Sequence, residues 1–220
     1  MDVLQEVSTQ LQRGRAKEVV ALVEGALAAG LSARRVLEEG LMPGMGVVGE
    51  RFKRNEVFVP EVLIAARAMN AGIAVLKPHL VEDGVRARGT VVLGTVKGDL
   101  HDIGKNLVRT MMEGKGLEVI DLGVDVGAER FVREAVERKA DIVACSALLT
   151  TTMPEMRAVV ERLEAEGVRD RFHLMIGGAP VTDAFRAAIG ADGYAPDAAS
   201  AADAAVAHCR AKAGPAAEGR

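Results

Sequence analysis

The 220-residue chain contains no tryptophan, one tyrosine and five phenylalanines. So few rings leave little to stack on bases or to anchor at a membrane interface. It has two cysteines, Cys145 in an apolar strand-like run and Cys209 near the C-terminus, with no CxxC or Cys/His cluster beside either. Both are expected to be reduced thiols, not partners in a disulfide or a zinc site. There is no basic block long enough to neutralise a run of phosphates. A net charge of −3, with 27% charged residues of both signs mixed along the chain, argues against a nucleic-acid partner. No stretch approaches the roughly 18 apolar residues of a spanning helix, and Met1-Asp2-Val3-Leu4-Gln5-Glu6 is acidic where a signal peptide is positive. The expectation is a globular, cytoplasmic protein that engages neither membrane nor nucleic acid, with 49% hydrophobic residues to fill its core.

What is present changes character along the chain. In the first part apolar residues recur three and four apart, as in Val19, Leu22, Val23, Ala26 and Leu27, then Val36, Leu37 and Leu41. Gly30 closes the earlier helix and Ser32 caps the later one. Pro43, Gly44 and Gly46 are expected to bend or interrupt the next stretch of helix, and Pro60 to start another running to about Leu76. That helix carries Ala65, Ala66, Ala68, Ala71 and Gly72, a smooth side that suits either a planar ligand or a packed helix. These segments make a bundle of about four helices over residues 1–83. From Val81 to Gly89 helical periodicity is lost, which marks a linker near residues 80–89.

Downstream, β-branched runs alternate with helical stretches. Residues 90–95, 118–120, 141–145 and 173–176 read as strands, with 193–195 as a weak fifth. This alternation predicts an open parallel sheet with helices on both faces, so the fold class is α/β: an N-terminal four-helix bundle followed by a Rossmann-like (flavodoxin-like) five-stranded parallel sheet over residues 89–213. Residues 214–220 read as a frayed tail.

Ligands of such sheets sit beyond the carboxyl ends of the strands. After the first strand comes Gly98-Asp99-Leu100-His101-Asp102-Ile103-Gly104. A neutral imidazole is a good ligand for a transition-metal ion, and Asp99 is placed to take its other ring N–H. Gly98 and Gly104 fall where a side chain would block a bulky ligand or strain the turn. The same residues also fit a surface histidine in a loop whose Asp99 or Asp102 caps the next helix. Lys105 and Asn106, in the first helical turn, need no special role. After the third strand, Ser146, Thr150, Thr151 and Thr152 offer hydroxyls to a polar ligand edge or to a carboxylate, although a capping threonine before Pro154 explains one of them. Gly177-Gly178 after the fourth strand is bare backbone that can lie against a ligand, without the pattern of a phosphate-binding loop. His79, His173 and His208 are scattered and read as structural or exposed.

Asp99-x-His101-x-x-Gly104, Ser146-x-Leu148 with Thr150, and Gly177-Gly178 together resemble the cobalamin-binding module of methionine synthase and the corrinoid proteins of methanol, methylamine and methoxy-aromatic methyltransferase systems. Leu41-Met42-Pro43-Gly44-Met45, Val47 to Phe52, and Phe58 to Met69 resemble that family's helical cap, so the similarity covers nearly the whole chain. The resemblance implies a cobalamin (methylcobalamin when charged) whose nucleotide tail is off the cobalt and buried beside the sheet, with His101 as the lower axial ligand. It implies that Asp99 holds the far nitrogen of His101 and that Thr152, where methionine synthase has a serine, extends the relay. Proton movement on Asp99 and His101 would accompany changes of coordination. Leu100, Asp102 and the glycines would touch the corrin side, and Ser146, Leu148, Thr150, Gly177, Gly178 and the segment from Tyr194 to Ala198 would line the tail cleft. From the cap, Phe52 and Val59 would cover the upper face, and Glu38 would contact the corrin. The implied function is a methyl carrier between a substrate:corrinoid methyltransferase and a thiol or tetrahydrofolate methyltransferase, served by a reductive activase and with no activity alone. A cobalamin subunit of a carbon-skeleton mutase shares the loop but pairs with a separate barrel. A cobalamin-dependent regulator would need an output module.

Overall fold

The computed structural model describes residues 2–82, 85 and 87–213. The chain divides into two compact units, Met1–Arg86 and Ala87–Arg220. Residues 214–220, expected to fray, lie outside the described residues.

The first unit is built of helices α1 (Val3–Gln12), α2 (Ala16–Ala28), α3 (Ala33–Arg35), α4 (Met42–Lys53) and α5 (Val59–Glu82). Asp2 caps α1 by accepting from the Leu4 N–H at 3.2 Å, and the Ser32 hydroxyl accepts from the Arg35 N–H at 3.3 Å. Between α3 and α4 the chain stays helical as a π-turn, Val36–Leu41, in which the Met42 N–H reaches back to the Leu37 carbonyl. Pro43 therefore does not interrupt the rod. It lies in the first turn of α4, where the widened turn relieves the clash and the missing N–H is not needed. Gly44 is a close-approach position instead: a Cβ there would lie 3.1 Å from the Ser8 backbone of α1.

Helix α5 outruns its expected end near Leu76 and continues through Pro78 to Glu82, so the loss of helical structure begins later than Val81. Ala74 and Pro78 are exposed, so the carbonyl that the proline leaves without a donor lies on the solvent side of the helix. The stretch Val59–Leu80 is long and apolar enough, by length and composition, to cross a membrane, contrary to the sequence expectation. Its small residues count as apolar in that measure, and the core helix of a bundle passes the same test. One side of α5, with Val62, Ala65, Ala68, Met69 and Leu76, is buried within the unit. A Cβ on Gly72 would meet Leu41 at 2.9 Å and Val19 at 3.1 Å. At Gly72 the smooth side is thus a helix-packing surface.

The second unit is a five-stranded sheet in the order β2-β1-β3-β4-β5, parallel throughout. Its strands are β1 (Thr90–Thr95), β2 (Glu118–Asp121), β3 (Ile142–Ser146), β4 (His173–Gly177) and β5 (Gly193–Tyr194). The connections carry α6 (Ile103–Gly114), α7 (Ala128–Glu137), α8 (Pro154–Ala165) and α9 (Asp183–Ile189), and α10 (Ala198–Ala213) follows β5. Helix α6 packs with α10, and α8 with α7 and α9. Strands β1, β3 and β4 are buried on both faces, which explains their continuous rather than alternating apolar runs. Phe131 is wholly buried in the core, and Gly94 makes room for its ring: a Cβ there would lie 2.8 Å from Cζ. Burial of such a ring contributes about 2–3 kcal/mol. Both cysteines are free and buried; burial pushes the Cys145 thiol up, and burial with Asp141 nearby pushes Cys209 up to about 11. His173 and His208, far apart in sequence, stack with ring centroids 4.1 Å apart.

The strand order reverses between β1 and β3. In such sheets the switch point, at the carboxyl ends of these two strands, is where ligands bind.

Candidate functional site

Both loops at the switch point converge on one carboxylate. Asp99 is fully buried. Its Oδ1 lies 2.7 Å from His101 Nδ1 and accepts the His101 backbone N–H at 3.1 Å. Its Oδ2 accepts the N–H groups of Leu148 (2.8 Å) and Leu149 (3.2 Å), and Thr152 Oγ1 lies 2.8 Å away. The Thr152 hydroxyl is also 2.9 Å from the Leu149 carbonyl, and its single proton goes to the more strongly accepting carboxylate. Burial alone would raise the carboxyl, but the Leu148 N–H, the His101 ring and backbone, and the Thr152 hydroxyl together hold it well below the usual carboxylate range.

An ionised carboxylate is acceptor-only, so His101 Nδ1 must carry the proton. In the neutral ring the lone pair is then on Nε2, for which no hydrogen bond is seen among the described residues. The His101 side chain is about half exposed. The loop leaves β1 through Gly98, at φ 78, a left-handed turn that favours glycine. Thr95 Oγ1 donates to the His101 carbonyl at 2.9 Å, fixing the backbone from below.

The surroundings of this imidazole are apolar. Leu100 and Ile103 are 72% and 75% exposed, and Leu148 and Leu149 are also exposed. Large exposed apolar side chains on the two loops that meet at Asp99 suit a broad, flat apolar ligand. Gly104 has no atom within 4 Å of a hypothetical Cβ and no positive φ, so the fold itself does not require a glycine there.

The other sequence-predicted residues lie on neighbouring strand ends and in the first unit. Asp102 precedes α6 and accepts from the Asn106 side chain at 3.0 Å. Ser146 ends β3 half-buried, while Thr150 is exposed on the loop after it. Gly177 ends β4, and Gly178, at φ 131, packs so closely on Ala147 that a Cβ would lie 1.9 Å from its carbonyl oxygen. Tyr194 is half-buried at the end of β5, and Ala198 is buried in the first turn of α10. Glu38 is exposed in the π-turn of the first unit, with Phe52 in the last turn of α4 and Val59 opening α5, both half-buried.

Sequence reasoning missed four groups here. Leu149 was legible as an apolar residue in a loop and Ile103 as one at the start of a helix, both where a soluble surface would be polar. Asp125 gave no signal. Lys105, read as having no special role, is almost wholly buried; its Nζ lies 2.6 Å from both carboxylate oxygens of Asp121, and Arg109 reaches the same group at 3.0 Å.

Residues 89–203 match a family model described as "B12 binding domain", and residues 3–77 match a second model of the same description. The dimethylamine corrinoid protein of Methanosarcina barkeri is 43% identical over 198 residues, covering 90% of this chain and 92% of that one. The chain belongs to the B12-binding corrinoid proteins of methyltransferase systems. Its cofactor is a corrinoid. A solved cobalamin-binding protein from Desulfitobacterium hafniense has a TM-score of 0.80 at 33% identity, covering 94% of this chain and 98% of that one. The methanol:cobalamin methyltransferase complex of Methanosarcina barkeri matches with a TM-score of 0.82 at 32% identity, over 93% of this chain and 80% of that one. The residues fit the cofactor: a single imidazole nitrogen offered from a loop with exposed apolar side chains would suit a metal whose remaining needs are met by its own macrocycle.

Proposed function

We propose that the chain is a methyl carrier that holds cobalamin with the nucleotide base off the cobalt and His101 Nε2 as the lower ligand, and that it shuttles between a substrate:corrinoid methyltransferase and a thiol or tetrahydrofolate methyltransferase. The carrying observation is the free Nε2 on a ring whose Nδ1 is tied to a buried, ionised Asp99. When bound, the corrinoid supplies a cobalt that is nucleophilic when reduced and takes up and releases a methyl group. The chain's own part is to hold and orient. Asp99 keeps the proton at Nδ1 and the lone pair at Nε2, and Leu148, Leu149 and Thr152 keep Asp99 ionised and still. Leu100, Ile103, Leu148 and Leu149 offer exposed apolar side chains against which the cofactor would pack. Ser146, Gly177, Gly178 and Tyr194, on neighbouring strand ends, form the wall for the nucleotide tail, with Thr150 at its mouth. Likeness to a methyltransferase complex supports docking to a methyltransferase. The acceptor enzyme and a reductive activase complete the proposed set of partners, in the cytoplasm, and activity resides in the assembly.

The test is the visible spectrum of protein reconstituted with hydroxocobalamin. The wild type shows a histidine-ligated spectrum that His101→Ala converts to that of a water-ligated, base-off corrinoid; an unchanged spectrum in the variant would refute the ligand assignment. For Asp99→Asn the expected outcome is milder. The single amide oxygen can face either His101 or the Leu148 and Leu149 N–H groups but not both, and the charge that fixes the tautomer is lost, so affinity measured by spectral titration falls about 10–100-fold. A loss under about threefold would show that the carboxylate does not act through His101.

A further inference from the structure

The side chain of Asp99 is held from the β3 side, but its backbone is held from the opposite side by Asp125 in the loop after β2. Asp125 Oδ1 accepts the Gly98 N–H at 2.7 Å, and the Asp125 N–H donates to the Asp99 carbonyl at 3.0 Å. These two bonds bracket the Gly98–Asp99 segment from which His101 springs. Adjacent bonds extend the clasp: Thr95 N–H to the Gly123 carbonyl and Val126 N–H to the Thr95 carbonyl, both at 3.0 Å, with Val96 and Val126 paired as an isolated parallel bridge. These bonds prolong the pairing along β1 after β2 has ended at Asp121, and Asp125 is the residue of this segment whose side chain also reaches the His101 loop.

To make both bonds, Asp125 takes a left-handed backbone at φ 53, a conformation uncommon outside glycine that aspartate enters more readily than most residues. It is an exposed residue. An exposed aspartate held in an uncommon conformation, with its carboxylate on a loop amide, carries no core packing that would explain it.

We infer that Asp125 is a positioning residue for the cobalt ligand: it fixes the backbone at Gly98 and Asp99, and so the direction in which His101 presents Nε2. This rests on the reading of His101 as the lower ligand. Asp125→Gly separates the parts, because glycine keeps the left-handed turn and removes only the carboxylate, while Asp125→Asn keeps both the turn and the acceptor. Should the glycine variant fail to fold, Asp125→Ser, too short to reach Gly98 as the carboxylate does, gives the same comparison.

Two readouts are taken. In apo protein, exchange of the Gly98 amide is followed by nitrogen–proton NMR; in protein loaded with hydroxocobalamin, the pH midpoint for loss of the histidine-ligated spectrum is measured. Loss of one charge-assisted bond is expected to speed Gly98 exchange about tenfold and to lower the ratio of ligated to free histidine about tenfold, raising the midpoint by about one pH unit. Asp125→Asn is expected to stay within about threefold of wild type. A residue that only supported the fold would lower the melting temperature and leave the midpoint in place. If His101→Ala abolishes the histidine-ligated spectrum while Asp125→Gly leaves both midpoint and amide unchanged, the inference alone is overturned. If His101→Ala keeps the wild-type spectrum, the ligand reading fails and the inference with it, whatever the Gly98 amide does.

Discussion

Gly178→Ala is expected to lower the unfolding transition of the second unit by about 10 °C, corresponding to about 3 kcal/mol or more. The residue sits at φ 131, a region that side chains rarely enter, and a Cβ would be placed 1.9 Å from the Ala147 carbonyl oxygen and 2.8 Å from its carbon. Both are backbone atoms, so no rotamer change relieves the overlap, and one of the two strand-end loops must move. The Ala147 N–H is bound to the Gly177 carbonyl at 3.1 Å, and the next two N–H groups, of Leu148 and Leu149, are donors to Asp99. Strain at Gly178 therefore passes along the chain into the carboxylate that orients His101. The variant should lose corrinoid affinity as well as stability. Circular dichroism melts of the apo protein and spectral titration with hydroxocobalamin measure the two effects. A transition within about 1 °C of wild type would mean that the β4 loop can slide away from Ala147 without penalty.

Gly178 also shows why some of the site was legible in the sequence and some was not. Gly177-Gly178 stood out as bare backbone after a strand, but its reason for being glycine lies in Ala147, a residue about thirty positions earlier on the neighbouring strand end. The five strands, the parallel topology and the Asp99 to Gly104 loop could be read because local patterns encode them: buried β-branched runs, helical periodicity between them, and a polar loop where the first run stops. The helical unit was less legible. Pro43 and Pro78 are strong local signals for interruption, yet a π-turn absorbs the first and an exposed helix face absorbs the second. The stacking of His173 on His208 and the Asp125 clasp depend on pairings between distant segments that no periodicity announces. Lys105 is the sharpest case. Beside a glycine and an asparagine in a first helical turn it reads as a solvated cation, and only the end of β2, brought alongside by the β2-β1 pairing, turns it inward.

That buried lysine supports the second large prediction. Lys105 Nζ is bound to both oxygens of Asp121 and, at 2.9 Å, to Asn106 Oδ1; Asp121 also accepts from the Gly123 N–H at 2.9 Å and from Arg109. The pair ties the first turn of α6, directly after the His101 loop, to the end of β2. Lys105→Met fills the space but leaves Asp121 ionised with only Arg109, whose guanidinium is partly exposed, as a cationic partner. Removing one member of a buried pair costs about 3–5 kcal/mol, so the melting temperature at neutral pH should fall by about 10 °C or more. Burial would raise the Asp121 carboxyl, but hydrogen bonds and charge from Lys105, the Gly123 N–H and Arg109 hold it below its ordinary 3.8. A depressed carboxyl contributes stability that is present above its unfolded value and is lost as pH falls through the folded one. The gap between Lys105→Met and wild type should therefore be full at neutral pH and narrow below about pH 4, where Asp121 in the variant takes up its proton first. In the double variant Lys105→Met, Asp121→Asn, where no buried charge is left unmatched, most of the lost stability should return. Melts from about pH 7 to about pH 3 check this, and a gap that stays constant over that range would show that the lysine acts through its packed methylenes and not through its charge.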